Sequence, residues 1–382
     1  MIRNEEERNP QPSLQTQDRP RNRVNPTVVK RLHQVSDSNT KPEYIRGHSL
    51  QAVSLLVRAA RSYLAVPLAA RIHEGVKFTN RDQRTLPEKM TTLIDSLGLS
   101  EPFVLIADAY YACATVASWA LARGGVLISR LRRNAVAYEP IPPPTGPRKR
   151  GRPRRYGQKI KLRELFESAS EPWQQAPSPV YGERDVTIRF LSRDLMWRPL
   201  RRLMRFVLVI HPTRGRCIFI STDLTLAALE IICGYGLRFK IELSFKQALR
   251  VIGAYQYHFW MRAMKALSRR SGTQYLHRAS DSYRAKVRRK IAAYHLHIQL
   301  GLISQGLLQY IAFKHPRDVW SSFGSWLRTI REGLCPSELV AAAALRNALP
   351  GFLADSTQPS DLQKFLRQHI DPELSQPLRL TG

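Results

Sequence analysis

The sequence predicts a mixed α/β protein with a β-rich insertion and a helical C-terminal region, and three observations lead there. A continuous apolar run at residues 103–107 (FVLIA) is followed by a helical stretch and a second β-type run at 126–129, the strand–helix–strand order of a parallel sheet. Runs of β composition return at 186–191 and 205–222, beyond a stretch rich in Pro and Arg. From residue 226 onward helical stretches take over.

Composition bounds the function. The chain has 382 residues, 43% of them hydrophobic and 9% aromatic, enough for a packed core, with 60 Lys and Arg against 30 Asp and Glu, a net charge of +30. A folded protein with that excess points to a polyanionic partner. Four cysteines, Cys113, Cys217, Cys233 and Cys335, contain no CxxC pair, which argues against a disulfide scaffold or a structural zinc site and for a reducing, cytosolic compartment. The N-terminus is polar, and no apolar run reaches the roughly 18 residues of a membrane span. We therefore expect a protein that is neither secreted nor membrane-spanning.

Taken in order, residues 1–25 are rich in Pro, Gln, Asn and charge, and are expected to be disordered because they bury too little to offset the entropy of ordering. Two apolar runs at 49–57 and 62–73 predict a hairpin, with Pro67 marking the second as an edge. Leu86, Met90, Leu93 and Leu97 recur at helical spacing and stop at Gly98. The run at 103–107 reads as a strand from the middle of a sheet, ending in Asp108; residues 110–122 read as helix and 126–129 as the next strand. In such units functional groups gather at the carboxyl end of the first strand, which is where Asp108 falls. Residues 130–163 then hold twelve basic residues against Glu139 alone, around PIPPP, and read as an exposed insertion rather than core. A turn at Pro212, Thr213, Arg214 and Gly215 joins FVLVI to CIFIS. Asp223 or Thr225 is expected to cap one long helix running from about residue 226 towards Gly253. The domain boundaries that follow are 1–25, 26–135, 136–222, 223–254 and 255–382.

The long helix carries the chemistry. Tyr235, Arg238 and Glu242 stand in YGLRFKIE, and at roughly 100° per residue Arg238 lies about 60° and Glu242 about 20° from Tyr235, so a phenol, a guanidinium and a carboxylate project from one face. An isolated Arg–Glu surface pair is the plain structural reading of the same spacing.

The surrounding STDLTLAALEIICGYGLRFKIELSFKQAL resembles the third catalytic segment of the insertion-sequence DDE transposases with the Tyr-x2-Arg-x3-Glu-x6-Lys signature, the insertion sequence four superfamily. Three of the four signature positions match; the fourth is Leu249, with Lys246, about 40° from Glu242, and Arg250 as neighbouring cations. VVKRLHQVSDSNTKPEYIRGHS resembles the segment after the family's first aspartate, VLIADAYYACATVASWALARGGVLISRLRRNAVAY the one around its second, and AYQYHFWMRAMKAL through AYHLHIQLGLISQGLLQYIA its C-terminal region. The resemblance implies an RNase H-like core interrupted by the β-rich insertion and DNA cleavage and strand transfer with two divalent metals, Mg²⁺ or Mn²⁺, held by Asp108 and Glu242. It further implies Tyr235, Arg238 and Lys246 as DNA contacts and double-stranded DNA (transposon ends and target) as substrate. The assembly and location it implies are a homodimer in a synaptic complex, cytoplasmic and at the bacterial nucleoid. The family's first aspartate, with its strand, has no counterpart: Asp18 is the acidic residue nearest the place, Asp37 follows LHQ in a polar stretch, and Asp223 aligns outside the catalytic set. The expectation is an N-terminally truncated chain with impaired cleavage, or a non-catalytic DNA-binding remnant.

Two weaker signals also point to DNA. Arg150, Arg152 and Arg154 flank Gly-Arg-Pro in RKRGRPRRY, suited to an A·T-rich minor groove or to phosphate contact. Tyr255, Tyr257, Phe259 and Trp260 beside Arg262 and Lys265 suit base stacking or a core. His295 and His297 would point to different helix faces and do not make a metal site.

Overall fold

The computed structural model describes residues 30–33, 44–47, 50–59, 62–73, 76–141, 154–168, 170–256, 274–324, 329–330 and 333–354. The segment expected to be disordered, Asp18, Asp37, Arg150, Arg152 and the aromatics Tyr257, Phe259 and Trp260 with Arg262 and Lys265 lie outside these residues.

Strands β1 (Lys30–His33) and β2 (Tyr44–Gly47) pair antiparallel. The expected hairpin follows as β3 (Leu50–Ala59) and β4 (Ser62–Ile72). Its register shifts where Ser54 faces Pro67 while Val53 faces Ala69, so the residue that cannot donate to a ladder sits at a bulge on a two-stranded sheet. After β5 (Val76–Lys77), helix α1 (Leu86–Asp95) begins at a capping box: Thr85 N–H donates to the Glu88 carboxylate at 2.6 Å, and Glu88 N–H returns to Thr85 Oγ1. Met90, Leu93 and Ile94 are its buried face.

Strand β6 (Val104–Ala107), a 3-10 turn (Ala109–Tyr111), α2 (Ala114–Ala122) and β7 (Val126–Arg130) form the expected crossover, with β6 and β7 parallel. The helix starts later than expected because Asp108 caps the 3-10 turn instead. The position of β6 corrects the sequence reading. It lies at the end of an eight-stranded sheet rather than in its middle, paired among the described strands with β7 alone, and Val104 is 54% exposed. An apolar run reports which faces of a strand are covered and says nothing about its edges.

The rest of the sheet comes from β8 (Val136–Tyr138), β9 (Lys159–Lys161), β10 (Gln174–Pro177), β11 (Thr187–Trp197), β12 (Arg202–His211) and β13 (Gly215–Ser221). The order is β6-β7-β13-β12-β11-β8-β9, with β10 on β11 and all pairs beyond β7 antiparallel. The β-rich segment therefore extends the sheet that carries Asp108. Its basic stretch is also partly core, contrary to the reading as exposed insertion: Leu131, Ala137 and Leu162 are buried, because the apolar residues between the arginines alternate inward.

Period-two alternation divides the core. Leu127, Phe206, Leu208, Ile218 and Ile220 face α2, whose Val116 and Ala117 they bury, while Ile128, Val207, Val209 and Phe219 face the opposite side. There they meet Ile231 and Ile232 of α3 (Ala228–Leu237). The sheet thus lies between α2 and α3.

The predicted single helix is three helical segments: α3, α4 (Phe239–Gln247) and a π-helical turn (Ala248–Ile252) that ends at Gly253, φ 72°. Between α3 and α4 the chain stays right-handed but tightens, Arg238 N–H bonding the Tyr235 carbonyl three residues back at 3.0 Å. The N-cap position of α3 is Ala227, whose N–H donates to Glu230 at 2.7 Å. Asp223 does not cap it; its carboxylate accepts from Thr225 N–H and Oγ1 at 2.7 Å each. Beyond β14 (Gln274–Tyr275), parallel to β5, come α5 (Asp281–Lys314), α6 (Pro316–Phe323) and α7 (Glu338–Ala354). Helix α5 backs both the hairpin, through Tyr294, Ile298 and Leu302 on Ala70, and α4, through Gln305 Nε2 donating to the Ser244 carbonyl at 2.8 Å.

Candidate active site

Asp108 ends β6 in extended backbone (φ −66°, ψ 160°), and its Oδ1 accepts from Ala109 N–H at 2.8 Å. The buried Ser129 of β7 secures this strand end, its hydroxyl donating to the carbonyls of Ala107 and Asp108 at 2.9 and 3.1 Å. Asp108 itself remains exposed. A cap and a solvent-facing carboxylate are compatible roles, since the cap engages one oxygen.

On α3 and α4 the three expected side chains do meet. Arg238 donates to the Glu242 carboxylate at 2.5 Å and lies 5.9 Å from the Tyr235 ring centre. Tyr235 is fixed from beneath by Phe219, ring centres 4.8 Å apart. Burial pushes the Tyr235 hydroxyl above its ordinary pKa; the charge of Asp108 adds to this and those of Arg238 and Arg130 oppose it. For Arg238 burial pulls downward, but Tyr235, Glu242 and Asp108 outweigh it and hold the guanidinium firmly protonated. Helix α3 also packs against β6 and β7, so the strand end and the helix lie on neighbouring elements.

A loop that the sequence did not single out shapes the other side. Val180 presses on α3 at Gly236, where an added Cβ would lie 2.5 Å from Val180 Cγ1. Glu183 anchors this loop, accepting from Ser178 Oγ at 2.6 Å, His211 Nε2 at 2.9 Å and Arg214 at 2.7 Å. His211 Nδ1 accepts from the N–H groups of Thr213 and Arg214, which leaves its Nε2 as the donor. Tyr181, at φ 58°, is 54% exposed under the Arg214 guanidinium, 4.0 Å away, and edge-on to Phe239. The segment SPVYGERDV has no periodicity, so the available signal was its Gly and Asp at turn positions.

Beside Tyr235 this loop bounds a cleft of about 200 Å³ lined by Val180, Tyr181, Arg214 and Arg130. Arg130, Gly215 and Cys217 also line an adjoining cleft of about 450 Å³, with Arg133, Arg163 and Arg216 on its walls. Arg216 pairs with Glu167; Arg130, Arg133 and Arg163 make no ion pair with another described residue. Cleft walls that carry three guanidinium groups without an ion pair to another described residue suit a phosphate backbone.

The other predicted residues separate. Lys246 is exposed in the last turn of α4, Leu249 and Arg250 are exposed in the π turn, and Arg154 is exposed. Tyr255 belongs to a core, packed on Phe245 and beside Tyr294, its hydroxyl pushed by burial to about 12. His295 accepts from Ile72 N–H at 3.2 Å and the His297 ring meets the Gly253 carbonyl at 3.0 Å, on different sides of α5.

For a divalent metal the donor set is short. Among the described residues no group of three or more His, Cys, Asp and Glu side chains converges, and Glu242 is already engaged by Arg238. Asp108 and Glu242 do not by themselves form the oxygen-rich cradle that Mg²⁺ or Mn²⁺ needs.

Residues 28–190 match the family model described as DDE superfamily endonuclease. The match includes Asp108 and stops before α3, so Tyr235, Arg238 and Glu242 lie beyond it. It supports a DDE transposase-type family, a transposase-like nuclease function and a DNA substrate; that superfamily generally uses divalent metals. No curated protein matches the chain. No helix among the described residues is long and apolar enough to cross a membrane.

Proposed function

We propose that this chain is a DNA-binding protein of the insertion-sequence transposase type, in which Asp108, Tyr235, Arg238 and Glu242 receive a phosphodiester and strand cleavage is impaired. The observation that supports the reading is the packing of α3, which carries Tyr235, against β7 and against β6, at the end of which Asp108 stands. Arg238 would hold a non-bridging phosphate oxygen, Tyr235 would supply a hydroxyl donor that burial keeps protonated, and Glu242 would orient Arg238. Arg130, Arg133 and Arg163 would carry the strand away from the site, and Arg154 and Lys246 would add backbone contacts. The impairment is an inference from the sequence, in which no acidic residue stands at the place of the family's first aspartate.

The test is a duplex-DNA titration by fluorescence anisotropy across a salt series. Binding falls steeply as salt rises, and removing Arg130, Arg133 and Arg163 together lowers the slope of log K against log salt by about 2–3, near 0.9 for each phosphate no longer neutralised. Incubation with Mg²⁺ or Mn²⁺ leaves the DNA intact. A slope unchanged in the triple variant refutes the arginine track, and metal-dependent nicking refutes the impairment.

A further inference from the structure

The larger of the two arginine-lined clefts gathers its charge from separate parts of the chain. Its volume is about 450 Å³, and Arg130, Arg133, Arg163 and Arg216 stand on its walls with Phe166 and Ile218 between them. Arg130 ends β7, Arg133 follows in the next turn, Arg163 lies in the 3-10 turn Leu162–Phe166 and Arg216 is on β13. Buried Leu131 and Leu162 pin the two loops: Leu131 N–H donates to the Ile218 carbonyl at 2.8 Å and Leu162 N–H to that of Ala135 at 3.1 Å. Four guanidinium groups on fixed backbone therefore face one concavity. No acidic side chain is among the described residues that line it. The acidic residues of the segment 131–171 are engaged elsewhere or at the rim: Glu139 and Glu171 hold Arg193, Glu164 holds Lys161, and Glu167 holds Arg216, whose guanidinium lies 5.4 Å from the centre of the Phe166 ring. Arg130, Arg133 and Arg163 keep no counter-charge among the described residues. Like charges around one concavity repel, and a bound polyanion turns that repulsion into attraction.

We propose that this cleft binds a chain of condensed phosphates, inorganic or carried by a nucleoside, and that the bound chain keeps DNA from the neighbouring cleft beside Tyr235. Shape and charge select this ligand. A duplex is too wide to enter a concavity of this volume, so it offers only the single charges of phosphates passing along the rim. Condensed phosphates share bridging oxygens and bring several charges into a compact volume, which guanidinium forks converging from separate elements can grip on several sides. Leu131, Phe166 and Ile218 line the same space, and apolar walls strengthen charge pairing by excluding water. The coupling to DNA runs through Arg130, which with Gly215 and Cys217 lines both clefts. A ligand that takes this guanidinium removes it from the Tyr235 side. The exclusion of DNA rests on the DNA-binding reading above; the phosphate site does not.

Isothermal titration calorimetry of the full chain with sodium tripolyphosphate, without divalent metal and at about 0.15 M salt, where attraction between exposed charges is screened beyond about 8 Å, should show one equivalent bound per chain. Arg133→Ala with Arg163→Ala should weaken binding at least about 30-fold. Arg317→Ala with Arg346→Ala removes the same charge from α6 and α7 and should change it less than about 3-fold. All four side chains are exposed, so both pairs should keep the wild-type far-UV circular dichroism spectrum. A parallel titration separates the sources: ATP tighter than tripolyphosphate assigns the nucleotide, and ATP no tighter assigns the inorganic chain. In the anisotropy assay tripolyphosphate should release duplex DNA where orthophosphate at equal ionic strength does not. Many equivalents bound, equal losses in the two variant pairs, or orthophosphate as tight as tripolyphosphate overturns the site. DNA retained while tripolyphosphate is bound overturns the exclusion. A chain that binds tripolyphosphate but no duplex would sink the DNA-binding reading and leave the site standing.

Discussion

Gly236, inside the Tyr235–Glu242 segment, is where the structure makes its sharpest demand on a single atom. In Gly236→Ala the new Cβ would stand 2.5 Å from Val180 Cγ1 and 3.1 Å from Val180 Cβ, well inside contact distance. Overpacking of this kind costs about 1–3 kcal/mol. Replacing glycine within a helix returns about 1 kcal/mol through restricted unfolded-state freedom and better propensity. The net expectation is a loss of about 1 kcal/mol, within 0–2. Val180→Ala removes the clashing Cγ1 methyl group at a cost of about 1 kcal/mol. In the double variant the 2.5 Å clash is gone and only the 3.1 Å approach to the Cβ at position 180 remains, so its loss should fall short of the sum of the two single losses by about 1–2 kcal/mol. Equilibrium denaturation in urea of all four proteins, at a common slope, measures this coupling. Additivity within about 0.3 kcal/mol would refute the claim that Gly236 is glycine because Val180 lies against it, and with it the view that this loop positions the signature helix.

Two further predictions concern the same framework. Gly301→Ala on α5 should destabilise by about 2–3 kcal/mol in denaturant titration, since the built Cβ would fall 2.3 Å from Ala254 Cβ and 2.8 Å from its Cα, and only backbone movement relieves it; Ala254→Gly should recover part of that loss. The Glu183 carboxyl is resisted by its burial, but Ser178, His211 and Arg214 together bring its pKa below the ordinary value of 4.5. A lowered folded-state pKa means its stabilisation is fully present above about 4.5 and fades as pH falls through the folded value. Glu183→Gln should therefore cost about 1–2 kcal/mol at pH 7, and the gap between wild type and variant should close on acidification below 4.5; a gap that is the same at pH 7 and pH 3 would sink this assignment.

How much could be read without coordinates differs by type of feature. The hairpin, α1, the β6–α2–β7 unit and the strands around the turn at residues 212–215 were legible, because hydrophobic period and turn residues are local signals. The grouping of Tyr235, Arg238 and Glu242 was legible for the same reason, as helical spacing survives the tightening at Arg238. The division of the long helix into α3, α4 and a π turn was not, since its causes are contacts: Gly236 under Val180, Ser244 against Gln305. Nor was the origin of the helix at Ala227, where the Glu230 carboxylate captures an N–H that Asp223 had seemed placed to serve.

Local pattern and composition were thus sufficient to establish an α/β chain rich in unneutralised arginine, with an acidic residue at a strand end and a phenol, guanidinium and carboxylate on one helix face. These depend on neighbours no more than a few residues apart. Packing alone decided that α3 lies against the strand that ends at Asp108, that the basic stretch after β7 contributes Leu131, Ala137 and Leu162 to the core, that β6 has only β7 beside it among the described strands, and that Leu296, Leu300, Ile303, Leu307 and Tyr310 of α5 are exposed among the described residues. Each of these turns on which distant segments meet, and a period in sequence records which side of an element is apolar without recording what lies against it.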